Sequence, residues 1–197
     1  INFLKVLRFM CFFITMMAPG LYIALINYNP ETIPSSLLIN FAAQRSNVPF
    51  PTLVEAILML FIYEILRESD IRFPNTYGSA ISILGALILG EAAVSAGFVS
   101  PIMIIVIAFT FITSLIFTET ELVDAARYFR IIFLFAAALY GLYGIVLAFI
   151  YFLIHVIEIK TLDEPYFYPL APFDLKYLMQ GLLKKTFSKN TERSPLL

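Results

Sequence analysis

The feature that most constrains this chain is a pair of long stretches with no charged side chain. No Asp, Glu, Lys or Arg falls between Arg8 and Glu31, nor between Arg130 and Glu158. Residues 9–28 would make a helix about 30 Å long, which matches the hydrocarbon thickness of a bilayer. The second stretch, 131–157, is long enough to span with some tilt. Apolar residues make up 60% of the 197 and charged residues only 14%, against about 45–50% and about 25% in a soluble domain. These features define an all-α integral membrane protein.

Other classes fall away on composition. Thirteen Lys/Arg against fourteen Asp/Glu leave a net charge of -1, without the basic footprint of a nucleic-acid binder. A single cysteine, Cys11, and a single histidine, His155, exclude a disulfide framework and a Cys/His zinc cluster. Neither a nucleophile beside a base nor a glycine-rich phosphate loop is visible, so no enzyme, cofactor or metal is expected. His155 reads as interfacial and Cys11 as a small apolar residue of the first span.

The remaining segments follow from local signals. Residues 34–46 read as an amphipathic helix at the interface, with Pro34 at its first helical position. Pro49-Phe50-Pro51 stops and restarts the chain. Residues 52–66 are apolar but carry Glu55 and Glu64, on opposite sides of a helix and so not a catalytic pair. Residues 67–72 read as a charged turn, with Glu64, Arg67, Glu68 and Arg72 forming a solvated helix end. From 73 to 118 the only charge is Glu91, and Ser100-Pro101 is a helix start, an N-cap followed by proline at N1. Glu121, Asp124, Arg127 and Arg130 recur every three residues as an interfacial stripe. Residues 163–172 are proline-aromatic, 174–189 form a basic amphipathic helix, and 190–197 read as disordered. The chain opens at Ile1 without methionine, which suggests a fragment.

Counting positive charges chooses among topologies. With Lys5 and Arg8 inside, five full crossings place six inside and seven outside. If 74–97 dips in and returns, the split is ten inside against Arg45, Arg127 and Arg130 outside. The expectation is four to five transmembrane helices: 9–28, 52–66, 98–118 and 131–157, with 74–97 re-entrant or spanning. Both termini and the segment 158–197 then lie in the cytoplasm.

Two stripes of small residues stand out. Gly78, Ser82, Ala86 and Gly90 lie four apart, continued by Ala93 and Gly97; Ala137, Gly141, Gly144 and Ala148 lie on the last span. Such stripes let helices approach closely in lipid, within one bundle or between subunits. Glu91 is either a pathway group, which a symmetric homo-oligomer would turn into a carboxylate ring, or a residue in a turn at the water interface. Glu55 has the same two readings, with a polar contact to another helix favoured.

Several ordered blocks carry a resemblance. Val48-Pro-Phe-Pro-Thr-Leu-Val-Glu55, Tyr63-Glu-Ile-Leu-Arg-Glu68, Ala80-Ile-Ser-Ile-Leu-Gly-Ala-Leu-Ile-Leu-Gly-Glu-Ala-Ala-Val94 and Ala96-Gly-Phe-Val-Ser-Pro101 together resemble the membrane domain of the A subunit of GerA-family spore germinant receptors. Arg127 and Arg130 before the last span, and His155 near its end, fit as well. The resemblance implies a soluble domain upstream, a place in the spore inner membrane, a transporter-like B subunit and a lipoprotein C subunit as partners, and assembly into a nutrient-gated cation channel. By position it makes 79–91, with Ser79, Ser82, Ala86, Leu87 and Glu91, the pore-near segment. Pro49, Pro51 and Glu55 become a coupling element. The competing readings are a secondary transporter, for which no second broken segment is found, and a non-conducting scaffold for partner subunits.

Overall fold

The computed structural model describes residues 2–72, 78–117, 119–161 and 164–165. Six α-helices account for nearly all of them: α1 (Asn2–Asn27), α2 (Ser35–Arg45), α3 (Thr52–Arg72), α4 (Gly78–Ser95), α5 (Pro101–Ser114) and α6 (Thr120–Glu158). A 3-10 turn, Pro30–Thr32, lies between α1 and α2. Two compact units are distinguished. One comprises residues 8–152 and holds the helical core. The other comprises residues 1–7 with 153–197; its described parts are the ends of α1 and α6 and a short antiparallel strand pair, Lys160–Thr161 with Glu164–Pro165. The tail helix expected at 174–189 and the proline-aromatic segment beyond Pro165 lie outside the described residues.

By length and composition two helices can cross a membrane, Phe3–Asn27 and Glu121–Glu158; Pro101–Ser114 is a shorter apolar helix. The second is not one rod. Gly141 has φ 62° and ψ -137°, a break inside α6, and the chain reverses there. The rings of Phe129 and Phe152 lie 4.9 Å apart, whereas 23 residues of straight helix would separate them by about 35 Å. The run read from sequence as a single tilted span at 131–157 is therefore a helical hairpin with limbs 120–140 and 142–158. The limbs are about 31 Å and 25 Å long; the first carries charged residues as far as Arg130, so its uncharged stretch, 131–140, is about 15 Å.

The turn can be this tight because of what surrounds it. Only glycine adopts this backbone freely, and a Cβ on Gly141 would lie 2.7 Å from the Tyr28 ring. A Cβ on Gly144 would overlap the Ala136 carbonyl oxygen. The first limb ends with unsatisfied carbonyls, as every helix does. The Tyr28 hydroxyl, from the end of α1, donates to Ala138 O at 2.6 Å and Leu139 O at 3.1 Å. Gly141 and Gly144 thus serve the turn and the close approach of two limbs of one chain; neither needs a second subunit.

Around the hairpin, α1 lies parallel to the first limb, with Gly20 against the Phe133 carbonyl. Phe12 and Phe13 reach Phe152 and Phe149 of the second limb. The main core gathers Tyr22 and Ile23 of α1, Ala56, Met59 and Tyr63 of α3, and Met103 and Ile107 of α5. Three boundaries differ from the sequence reading. Helix α3 runs on through 67–72, read as a turn. Helix α4 runs on to Ser95, past Glu91, for which a turn was one of the two readings. Pro34 is the N-cap of α2, one residue earlier than expected.

Candidate functional site

Two polar centres tie the helices together. The first surrounds Glu55, one turn into α3. Ser100 caps α5 as expected: its Oγ accepts from the Met103 N–H at 3.3 Å, and Pro101 follows at N1. The same serine donates its N–H and its hydroxyl to Glu55 Oε1, both at 2.5 Å. A fully buried carboxylate is thus held at the positive end of α5, the place where a helix favours negative charge. Glu55 makes a buried polar contact with another helix, and Pro49 and Pro51 are exposed beside it. Between those prolines, Phe50 stacks on Phe98 with centroids 6.2 Å apart. Thr52 donates to Asn27 at 2.7 Å and receives Arg45 at 3.4 Å. The ends of α1 and α2 therefore meet the starts of α3 and α5.

Gly97 belongs to this end of the molecule and not to a helix-packing stripe. Its φ is +69°, its N–H bonds to Val94 O, and the Phe98 N–H bonds to Ala93 O, both at 2.9 Å. This is a Schellman C-cap, which calls for glycine. Asn40, Gln44 and Asn47 line a groove of about 420 Å³ beside it.

The second centre was not legible as such. Arg130 is only 2% exposed; it reaches Glu64 at 3.3 Å, and its guanidinium lies 5.1 Å above the Tyr63 ring. Arg127 binds Glu64 at 2.9 Å and Asp124 at 3.3 Å. Tyr63 shares a hydrogen bond with Ser114 of α5 at 3.0 Å. Glu64 is not part of a solvated helix end, nor does Arg130 sit on an exposed interfacial stripe: together they lock α3 to the first limb of α6. Glu64 and Arg130 are sixty-six positions apart, so no local spacing announces the pair.

On α4, Gly90 is buried and faces Ile104 of α5. Gly85 approaches Leu66 of α3, so part of this helix packs within the bundle. Glu91 is exposed, as are Ile88 and Leu89; the Glu91 carbonyl accepts from the Ser95 hydroxyl at 2.7 Å. Glu91 lies inside the helix and not in a turn. Gly78, Ser79, Ser82, Ala86 and Leu87 fall on α4; their surroundings lie outside the described residues. No group of three or more His, Cys, Asp or Glu fit for a metal occurs among the described residues.

Known proteins are similar to this chain. The family described as Bacillus/Clostridium GerA spore germination protein matches residues 1–196. Spore germination protein KA of Bacillus subtilis is 42% identical over 92% of this chain and 33% of its own length. Spore germination protein GerLA of Bacillus cereus is 38% identical over 86% of this chain and 34% of its own length. For spore germination protein A1 of Bacillus subtilis the figures are 36%, 93% and 38%. This chain thus spans about a third of the relatives it matches. No solved structure matches it. With the family matched from the first residue to the last but one, this chain belongs to the GerA family of spore germination proteins.

Proposed function

We propose that the chain is the membrane part of a spore germinant-receptor A subunit, acting with B and C subunits and assembling with its own copies into a nutrient-gated cation channel. The observation that carries the channel reading is Glu91. On an apolar helix, a carboxylate turned out of its own bundle faces lipid, water or another subunit, and lipid is the most costly of the three. A ring of copies with α4 toward the axis gives every Glu91 an aqueous lumen and draws cations to it.

The hairpin supports a definite topology in the inner membrane. With α1, α3, α4, α5 and both limbs of α6 each crossing once, the membrane is crossed six times. Of the eleven Lys and Arg residues outside the first limb, which itself holds Arg127 and Arg130, ten, all but Arg45, then fall on the side of Lys5 and Arg8. That agrees with the positive-inside rule, and it keeps both termini cytoplasmic. Tyr28, Tyr140 and Tyr143, all exposed around the hairpin tip, suit the headgroup level on the outer side.

Cation flux into liposomes containing the full chain and its B and C partners tests the function. Wild type should conduct on addition of germinant, and Glu91→Lys should suppress flux while leaving assembly intact. An assembled Glu91→Lys complex with unchanged flux and selectivity would remove Glu91 from the ion path.

A further inference from the structure

Helix α4 meets its neighbours through two glycines, and a cavity lies between the contacts. At Gly85 an added Cβ would come within 3.2 Å of Leu66 of α3; at Gly90 it would lie 3.8 Å from Ile104 of α5. Helices α3 and α5 meet each other in the main core, where Met59 and Tyr63 gather with Ile107. The three helices thus touch in pairs around a cavity of about 110 Å³, lined by Met59 and Tyr63, by Gly90, and by Ile104, Ile107 and Phe111. Its walls are apolar. Among the described residues that line it, only Tyr63 carries a hydroxyl, and Ser114 Oγ engages that group at 3.0 Å. Tyr63 and Phe111 meet edge to face, with ring centroids 5.1 Å apart.

We propose that this cavity binds one small uncharged aromatic molecule of about benzene's size. Water does not suit it, because a buried water needs about three hydrogen bonds and the walls offer no free partner. A charged or hydrogen-bonding ligand would bury groups that nothing here satisfies. The volume sets the size: an engineered cavity of about 150 Å³ lined by Leu, Ile and Phe stays dry and holds benzene or xenon. The Tyr63–Phe111 pair and the Met59 thioether favour an aromatic ring, the first by edge-to-face contact and the second through sulfur. Lipid tails supply no hydrophobic drive into such a site, so shape and dispersion contacts select the occupant. Gly90 precedes Glu91 on α4, so an occupant touches the helix assigned above to the pore. Binding itself does not depend on the chain conducting ions.

The test is methyl NMR of the full chain, isotopically labelled at the methionine methyl groups, in nanodiscs of deuterated lipid titrated with benzene. Met59 lines the cavity, whereas Met10 of α1 is exposed and reports benzene dissolved in the lipid. The Met59 signal should shift saturably and show a nuclear Overhauser effect to benzene, while Met10 drifts linearly. In Gly90→Leu, which fills the cavity, the saturable shift should vanish. Should Gly90→Leu fail to fold, Gly90→Ala places one methyl in ordinary contact with Ile104, and the half-saturating concentration should rise about fourfold. The proposal is overturned by a Met59 response no different from that of Met10, or by saturation unchanged in folded Gly90→Leu or in Gly90→Ala. Half-saturation by cyclohexane at the same concentration as benzene would overturn it equally, because the aromatic contacts would then select nothing.

Discussion

Replacing Gly141 by alanine separates the hairpin from an unbroken last span, because the two arrangements predict opposite signs. In the interior of a straight helix, Gly→Ala stabilises by about 0.5–1 kcal/mol. In the hairpin, alanine must adopt φ 62°, ψ -137°, a conformation costing about 1–3 kcal/mol without glycine. Its Cβ would also displace Tyr28, whose ring lies 2.7 Å from the position that atom would take. The bifurcated hydrogen bond from the Tyr28 hydroxyl to Ala138 O and Leu139 O goes with it, worth about 1 kcal/mol. The sum is a loss of about 2–4 kcal/mol, a fall of roughly 4–16 °C in the unfolding midpoint for a chain of this size. Thermal unfolding in mild detergent reads it directly. Tyr28→Phe serves as the control, removing the bifurcated hydrogen bond without the backbone strain and costing about 1 kcal/mol. In a Cys11→Ala background, cysteines at Phe129 and Phe152 should be joined by a short bis-maleimide, a reaction that a straight helix forbids. A Gly141→Ala protein as stable as wild type, together with no crosslink, would refute the hairpin and the six-crossing topology built on it.

Three further substitutions test the two polar centres. Glu64→Ala should destabilise by about 2 kcal/mol in denaturant titration, below the range for a fully buried pair because Glu64 is 27% exposed. An equally stable variant would make Arg130 independent of Glu64. Ser100→Ala removes the α5 cap and one hydrogen bond to Glu55, so a loss of about 2 kcal/mol is expected from thermal unfolding; a loss of a few tenths would mean that the Ser100 N–H alone holds the carboxylate. Gly97→Ala forces a side chain into the left-handed region and toward the Asn47 carbonyl, 3.3 Å from the new Cβ. It should cost about 1–2 kcal/mol, whereas a neutral effect would return Gly97 to the packing stripe.

What the sequence determined by itself is what short-range chemistry decides. The uncharged runs bound the chain to an apolar environment. Ser100-Pro101 announced the start of α5, since an N-cap and its proline act within one turn. The breaks at Pro49 and Pro51 were visible for the same reason. Tertiary structure decided the rest. The Glu64–Arg130 pair and the partner of Glu55 join residues far apart in the chain, and only packing chooses among the many pairings that spacing permits. Gly97 looked like one member of a small-residue stripe because glycine serves close packing and positive φ equally well. The hairpin at Gly141 was hidden for a deeper reason. In water a chain reversal exposes peptide groups and is marked by polar residues. Here a tyrosine from another helix satisfies the open carbonyls, so the turn remains apolar and the hydropathy of the run passes over it unbroken.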